Sequence, residues 1–160
     1  MVKRAVQHFV NTPRKMTNII LCGCCGKMGK AVMEAVDSRN DCMIVAGVDL
    51  MTEFSLGYPI YPEISAVKES ADVVIDFSHP SLLDTILKYC NATNTAAILC
   101  TTGYSEAQTG QIRAASSDTP LFYSRNMSLG VNLLIELASK AQAVLGDTFD
   151  GESIEMHHHQ

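Results

Sequence analysis

The stretch from Asn18 to Val32, NIILCGCCGKMGKAV, decides the fold. Its first residues are apolar and partly β-branched and stop at a glycine, which is typical of a buried strand. From Gly29 onward, apolar residues recur at the spacing of an amphipathic helix. The next apolar run, CMIVAGVD, ends at Asp49. The order of strand, glycine turn, helix, strand and acidic residue predicts a βαβ unit of a parallel sheet.

The alternation of strands and helices continues along the rest of the chain. Further strands are predicted in ADVVIDFS, AAILCTTG and TPLFYSRN, and further helices in HPSLLDTILKYCNAT, SEAQTGQIRAASSD and SLGVNLLIELASKAQAVLG. Prolines and turn formers after Met51 predict a loop, followed by a short helix near Ile64 to Glu69. Ser105 is the predicted cap of one helix, and Gly146 is the predicted stop of the last. We therefore predict an α/β fold of Rossmann type, with five parallel strands and helices on both faces of the sheet.

Length and composition suit a soluble globular domain, because 160 residues with 47% apolar and 18% charged residues can build a sizeable core. The net charge of −5 argues against nucleic acid or an anionic membrane as a partner. No apolar run approaches the ~20 residues of a membrane-spanning helix. Six cysteines without a signal peptide predict reduced thiols and a cytoplasmic protein. The basic residues 1–16 run up to a second possible start at Met16, so we expect a disordered extension there rather than a transit peptide.

The opening stretch combines cysteines with glycines, and each set suggests its own chemistry. Cys22 and Cys25 form a Cys-x-x-Cys pair, but a structural zinc site needs four ligands, which only the terminal histidines could complete. A thioredoxin-like dithiol also stays open, although that motif normally lacks interleaved glycines. Gly23, Gly26 and Gly29 favour a phosphate-binding turn, since a strand that enters a helix exposes N–H groups and the positive end of the helix dipole. We therefore predict a pyrophosphate site and no metal.

Asp49 strengthens the interpretation as a dinucleotide site. The glycine spacing, G-x-x-G-x-x-G, differs from the usual G-x-G-x-x-G and is weak evidence by itself. Asp49 lies about twenty positions past the glycine turn, where an acidic residue binds the ribose hydroxyls of a dinucleotide. The following residues, LMTEF, contain no Lys or Arg for a 2′-phosphate, which favours NADH over NADPH unless a base from elsewhere reaches the site. The alternative that the glycines only form a turn and Asp49 only ends a strand stays open.

Five motifs, in this order and at these separations, resemble bacterial 4-hydroxy-tetrahydrodipicolinate reductase, a family formerly called dihydrodipicolinate reductase. They are CGCCGKMGKAV, VIDFSHP, CTTGYSEAQ, RNMSLGVNLL and IEMHHHQ, and the resemblance covers Thr17 to Gln160. It implies an oxidoreductase of lysine (diaminopimelate) biosynthesis that uses NADH or NADPH to reduce a small dicarboxylate, 4-hydroxy-tetrahydrodipicolinate, to tetrahydrodipicolinate. It also implies a dinucleotide-binding Rossmann domain over residues 17–128 and the start of a substrate and tetramerisation domain over residues 129–160. The intact family would be homotetrameric.

The resemblance also implies roles for single residues. The pyrophosphate would bind at Gly23 to Met28, the adenosine ribose at Asp49, and the nicotinamide end at Cys100 to Thr102 and at Ser124 to Met127. The implied coenzyme-binding residues are Gly23, Cys24, Cys25, Gly26, Lys27, Met28, Asp49, Cys100, Thr101, Thr102, Ser124, Arg125, Asn126 and Met127. Cys100 stands where the family's usual Gly-Thr-Thr-Gly turn has its first glycine.

The histidines near the end of the chain would carry the chemistry. The resemblance implies that His157 is the catalytic residue and that His158 and Thr102 contact the substrate. A histidine suits this role, because hydride addition to the substrate must be completed by a proton and histidine donates one near neutral pH.

The sequence departs from the family at its C-terminal end. The family's signature continues past the histidines with a lysine and an Asp-Ala-Pro-Ser-Gly-Thr segment, whereas this chain stops at Gln160. We therefore expect an incomplete substrate domain of one helix and one strand, and poor turnover by this chain alone. Gly151 and Ser153 would weaken that strand. A stand-alone nucleotide-binding module, a Cys/His metal protein, a different Rossmann dehydrogenase and a purification-tag remnant at the histidines are the alternatives.

Overall fold

Six parallel strands form one sheet in the computed structural model, which describes residues 16–124 and 129–146 of the chain. The strands are β1 (Thr17–Cys22), β2 (Cys42–Val48), β3 (Ile60–Tyr61), β4 (Val73–Asp76), β5 (Ala96–Leu99) and β6 (Leu121–Tyr123). Their order across the sheet is β3-β2-β1-β4-β5-β6, and every neighbouring pair is parallel. This is the strand order of the dinucleotide-binding Rossmann fold. The predicted α/β fold of Rossmann type is therefore confirmed.

Helices connect most of the strands, as parallel crossovers require. They are α1 (Lys27–Asp37), α2 (Leu83–Thr93), α3 (Glu106–Ala115) and α4 (Leu129–Leu145), with short 3₁₀ turns at Ile64–Ala66 and Pro80–Leu82. The predicted cap Ser105 accepts the Gln108 N–H at 3.2 Å, and the Gln108 side chain accepts the Ser105 N–H at 3.0 Å. Gly146 follows α4 with a φ of +68°, which is how a glycine ends a helix. No described helix is long and apolar enough to cross a membrane.

The central strand β1 forms the middle of the hydrophobic core. Ile20 and Leu21 are both completely buried, although successive side chains of a strand point to opposite faces of the sheet, so both faces of β1 are covered. A strand that is covered on both faces needs apolar side chains in succession, which explains the unbroken apolar run of β1. The helix α2 adds Leu83, Ile86 and Cys90 to the same core.

The sheet has one strand more than the five predicted. The additional strand, β3, has only two residues, and the Asp49 N–H donates to the Tyr61 carbonyl at 3.0 Å to hold it against β2. Two residues between prolines are too few to show a period, so the sequence predicts a loop there instead. The short helix predicted near Ile64 to Glu69 is a single 3₁₀ turn.

The chain divides into two units, Met1–Arg125 and Asn126–Gln160. The first unit contains the sheet, and the second contains α4. Residues 1–15 of the predicted disordered extension lie outside the described residues, and so does the strand predicted after α4. The predicted domain boundary between residues 128 and 129 stays a prediction.

Candidate functional site

Main-chain hydrogen bonds close the turn between β1 and α1. The Gly23 N–H donates to the Val48 carbonyl at 2.8 Å, and the Gly26 N–H donates to the Gly23 carbonyl at 3.2 Å. Gly23 has a φ of +76°, and a Cβ at this position would lie 2.5 Å from the carbonyl oxygen of Phe77. Only glycine therefore fits where the turn passes the end of β4.

The other two glycines of the turn have different surroundings. Gly29 is buried within α1, and a Cβ there would lie 2.4 Å from the Gly23 carbonyl oxygen and 2.6 Å from that of Cys24. Its missing side chain allows α1 to pack against the turn. Gly26 is the N-cap residue of α1, it is exposed, and it has no side chain that could accept a hydrogen bond from the first turn. A Cβ there would meet only the Gly23 carbonyl oxygen, at 3.3 Å. The N-terminus of α1 is therefore open to a ligand on the Gly26 side.

The carboxylate of Asp49 is fixed beside this turn. One of its oxygens accepts the Cys25 N–H at 3.0 Å, and the other accepts the Met51 N–H at 3.1 Å. Each oxygen keeps a further lone pair that can accept a hydrogen bond from a ligand. The structure thus brings Asp49 together with the predicted pyrophosphate stretch, Gly23 to Met28.

A cavity of about 390 Å³ lies at the carboxyl ends of β1, β2 and β4. Its described lining residues are Gly23, Val48, Asp49, Leu50, Pro62, Ser78, His79, Ser81 and Leu82, none of which is Lys or Arg. Ligands of Rossmann folds bind in this crevice, where the chain order of the strands reverses. The sequence predicts that the loop Phe77 to Pro80 carries chemistry, because it directly follows a buried strand, and Ser78 and His79 of this loop line the cavity. No individual role was predicted for Ser78, His79, Ser81 or Leu82.

The buried carboxylate of Asp76, at the end of β4, organises the neighbouring loops. It is completely buried and accepts hydrogen bonds from the hydroxyls of Thr101, at 2.8 Å, and Tyr104, at 3.1 Å. Its other oxygen accepts the N–H of Ser78 at 3.0 Å and also the Ser78 hydroxyl. Four donors on one carboxylate connect the loop after β4 to the loop after β5. Sequence analysis assigned no role to Asp76, although it is the last residue of β4, and Asp49 occupies a similar place directly after β2.

The residues predicted at the nicotinamide end lie only partly within the described chain. Cys100 and Thr101 are buried after β5, Thr102 is exposed, and the Cys100 N–H donates to the Asp76 carbonyl at 2.9 Å. Ser124 follows β6, where its N–H donates to the Leu99 carbonyl at 3.5 Å. The predicted residues Arg125, Asn126, Met127, His157 and His158 lie outside the described residues.

All six cysteines lie in the described part of the chain, and none of them forms a disulfide. Cys22 lies in the hydrophobic core. The sulfur of Cys24, not that of Cys22, lies beside the sulfur of Cys25, at a distance of 3.9 Å. The Cys24 sulfur fills the space left by the missing side chain of Gly47, where a Cβ would lie 2.6 Å away. Burial raises the pKa of Cys22 and also the pKa of Cys25, the two members of the Cys-x-x-Cys pair. A redox-active dithiol needs a lowered pKa, so the thioredoxin-like alternative does not suit these thiols.

Comparison with known sequences gives consistent matches. The family model described as "Dihydrodipicolinate reductase, N-terminus" matches residues 17–127. A 4-hydroxy-tetrahydrodipicolinate reductase from Clostridium novyi is 44% identical over 145 residues, which cover 91% of this chain and 58% of the relative. The enzyme of the same name from Caldanaerobacter subterraneus is 42% identical over 143 residues, which cover 89% of this chain and 56% of the relative. The chain therefore spans a little over half the length of the curated relatives it matches.

Solved structures share the fold at low sequence identity. Dipicolinate-bound dihydrodipicolinate reductase from Paenisporosarcina sp. TG-14 is similar with a TM-score of 0.69 and 23% identity, over 80% of this chain and 54% of that chain. An oxidoreductase from Agrobacterium radiobacter in complex with NAD+, L-tartaric acid and magnesium is similar with a TM-score of 0.59 and 17% identity, over 80% of this chain and 41% of that chain.

Proposed function

The chain belongs to the dihydrodipicolinate reductase family, and on that premise we propose that residues 17–127 bind a reduced nicotinamide dinucleotide. One observation carries the proposal: the carboxylate of Asp49 is held at 3.0 Å from the Cys25 N–H, at the mouth of a glycine turn that leads into α1. In Rossmann folds the glycine turn binds the pyrophosphate of a dinucleotide, and an acidic residue at the end of the second strand binds its ribose.

The pyrophosphate fits the N-terminus of α1. Gly26 supplies no side-chain cap, and α1 has no acidic residue in its first turn, so neither a competing acceptor nor a negative charge stands where the phosphates would bind. The first-turn N–H groups and the helix dipole favour an anion at this point. A Cβ at Gly26 would meet only the Gly23 carbonyl oxygen, so it would project into the space where the pyrophosphate is proposed to bind. We assign the pyrophosphate to Gly23 through Met28.

The ribose end favours NADH over NADPH. The Asp49 carboxylate can accept hydrogen bonds from ribose hydroxyls, whereas it repels a 2′-phosphate. The described residues lining the cavity beside it include no Lys or Arg that would neutralise such a phosphate. We assign the nicotinamide end to Cys100 through Thr102, which follow β5, and to Ser124 through Met127, of which Ser124 directly follows β6.

For the whole protein we propose the reduction of 4-hydroxy-tetrahydrodipicolinate to tetrahydrodipicolinate, the activity after which its relatives are named. The 4-hydroxyl group leaves as water, and the bound coenzyme supplies the hydride that is added to the resulting double bond. His157 holds the proton that completes the reduction, and His158 and Thr102 orient the substrate. The Asp76 hydrogen bond fixes the Thr101 hydroxyl, and so positions the turn that carries Thr102. The homotetramer of the intact family stays a prediction.

The coenzyme assignment is tested by titrating the full chain with NADH and with NADPH and following coenzyme fluorescence. We expect saturable NADH binding and NADPH binding at least roughly tenfold weaker. Asp49→Asn removes a charged hydrogen-bond acceptor, which should weaken NADH binding roughly 10- to 100-fold. It should also reduce the difference in affinity between NADH and NADPH. Asp118→Asn makes the same change at an exposed position outside the site and should leave binding unchanged. Absence of saturable NADH binding by a chain that circular dichroism shows to be folded would overturn the proposal.

Binding without catalysis is the second candidate function. The observation that favours it is that the chain spans a little over half the length of the curated relatives it matches, and this part contains the glycine turn and Asp49. Turnover of NADH with the substrate is therefore measured on the same preparation. Turnover that is lost in His157→Asn while NADH binding is kept supports the reductase, and binding without any turnover supports the second candidate.

A further inference from the structure

Three ligand atoms converge at the side of the glycine turn. The sulfurs of Cys24 and Cys25 and a carboxylate oxygen of Asp49 all lie within 4.8 Å of one another. Within residues 16–124 and 129–146, no other group of three or more His, Cys, Asp or Glu side chains is this close. Cys24 is buried, while Cys25 and Asp49 are partly exposed, so the cluster has one protected and one accessible side.

The spacing of the two sulfurs suits a metal ion better than a disulfide. Two sulfurs bound at about 2.3 Å to one tetrahedral ion lie about 3.8 Å apart, and the two sulfurs here are 3.9 Å apart. A disulfide would have to bring the sulfurs to about 2.05 Å. It would also have to join neighbouring residues, whose Cα atoms are about 3.8 Å apart and thus closer than in ordinary disulfides.

Each ligand is already held in place. Asp49 is oriented by the N–H groups of Cys25 and Met51 and keeps a lone pair on each oxygen. The Cys24 sulfur is fixed where it packs against the backbone of Gly47. The Cys25 thiol points toward the Met51 carbonyl, 3.3 Å away. Binding an ion would therefore require little reorganisation of side chains.

The charge of the cluster also suits its place in the fold. Binding of a divalent ion would release the protons of both thiols. Two thiolates and one carboxylate around the ion then leave one negative charge, which would lie beside the N-terminus of α1, where the helix dipole favours it. Thiolate ligands select zinc and related thiophilic ions over magnesium or calcium. Water can complete a tetrahedral set from the exposed side, as at zinc sites with three protein ligands.

We propose that Cys24, Cys25 and Asp49 bind a thiophilic divalent cation of the zinc class, in a position that excludes the coenzyme. The exclusion rests on the proposed function, since Asp49 is the residue assigned to the ribose and Cys25 belongs to the pyrophosphate stretch. The ion site itself does not depend on it. A cation at this point would act as an inhibitor that competes with coenzyme.

The ion site is tested with cadmium alone, because the cadmium–thiolate charge-transfer absorbance reports sulfur ligands and is silent for the histidines at the end of the chain. The reduced full chain is titrated with cadmium after removal of chelators. We expect the absorbance to saturate at one equivalent. Cys25→Ser should weaken cadmium binding at least roughly 100-fold, because a thiolate ligand is lost. Asp49→Asn should weaken it less, and Cys42→Ser, a change outside the cluster, should leave it unchanged.

Competition with the coenzyme is measured on the same samples. In the unaltered chain we expect the apparent Kd for NADH to rise linearly with the concentration of free cadmium, and in Cys25→Ser this dependence should disappear. Simultaneous binding of cadmium and NADH would overturn the exclusion. A thiolate band that is absent, or that survives in Cys25→Ser, would overturn the ion site. Failure of NADH to bind without any metal would overturn the proposed function instead, and the thiolate band would still decide the ion site.

Discussion

Replacement of Gly29 by alanine should destabilise the protein, although helix propensity alone predicts the opposite. Alanine is about 1 kcal/mol better than glycine inside a helix. At Gly29, however, the added Cβ would lie 2.4 Å from the carbonyl oxygen of Gly23 and 2.6 Å from that of Cys24. These are backbone atoms of a tight turn, and they cannot rotate away as the end of a side chain would.

The magnitude follows from the size of this overlap. Ordinary contacts of a Cβ begin at about 3.4 Å, so the turn or the helix must shift by up to about 1 Å. Overpacking costs about 1–3 kcal/mol where side chains can adapt, and a rigid backbone places this case at the upper end. After the gain in helix propensity we expect a net loss of about 2 kcal/mol, which lowers Tm by roughly 4–8 °C.

A second helical glycine provides the matched control. Gly110 lies in the middle of α3, is exposed, and a Cβ there would meet no atom within 4 Å. Gly110→Ala should therefore raise stability by about 0.5–1 kcal/mol through helix propensity. The two variants are compared by thermal and urea unfolding followed by circular dichroism. Equal stabilisation by both would refute the reasoning, because it would mean that the turn does not press on Gly29.

Three further changes test other parts of the fold. Asp76→Asn should lower stability by about 2–3 kcal/mol in urea unfolding, because a buried charged acceptor of four donors is lost, whereas Asp118→Asn should not. Burial raises the pKa of Cys90 to about 12 from 9.0, so the stability it contributes is complete below about pH 9 and declines toward pH 12 as the unfolded thiol ionises first. Cys90→Ala should therefore reduce the alkaline fall in unfolding free energy, by up to about 1.4 kcal/mol per pH unit between pH 9 and 10. Ser105→Ala removes the cap shared with Gln108 and should cost about 1 kcal/mol, seen as a lower urea midpoint.

The sequence was sufficient to predict those elements whose pattern is local. The apolar run of β1, the glycine turn and the helical spacing of α1 are encoded within fifteen consecutive residues, Asn18 to Val32, and the structure has each of them. The position of Asp49 beside the turn could also be anticipated, because parallel neighbouring strands end at the same edge of a sheet.

The features that sequence analysis missed arise from contacts between distant segments. β3 has two residues and exists only because β2 offers its free edge. The role of Asp76 depends on Thr101 and Tyr104, which lie more than twenty residues later and reach it only after the sheet has formed. The packing of Cys24 into the space at Gly47 is equally invisible in the sequence, since both residues have ordinary neighbours along the chain.

The contact between Cys24 and Gly47 limits which residues can be changed to alter the coenzyme preference. A larger side chain at position 24 has little room, because Cys24 is completely buried and its sulfur fills the space beside Gly47. The segment Leu50 to Phe54, in contrast, is exposed and follows directly after Asp49. A library aimed at accepting a 2′-phosphate should therefore vary this exposed segment, where a new arginine can be introduced without disturbing the turn.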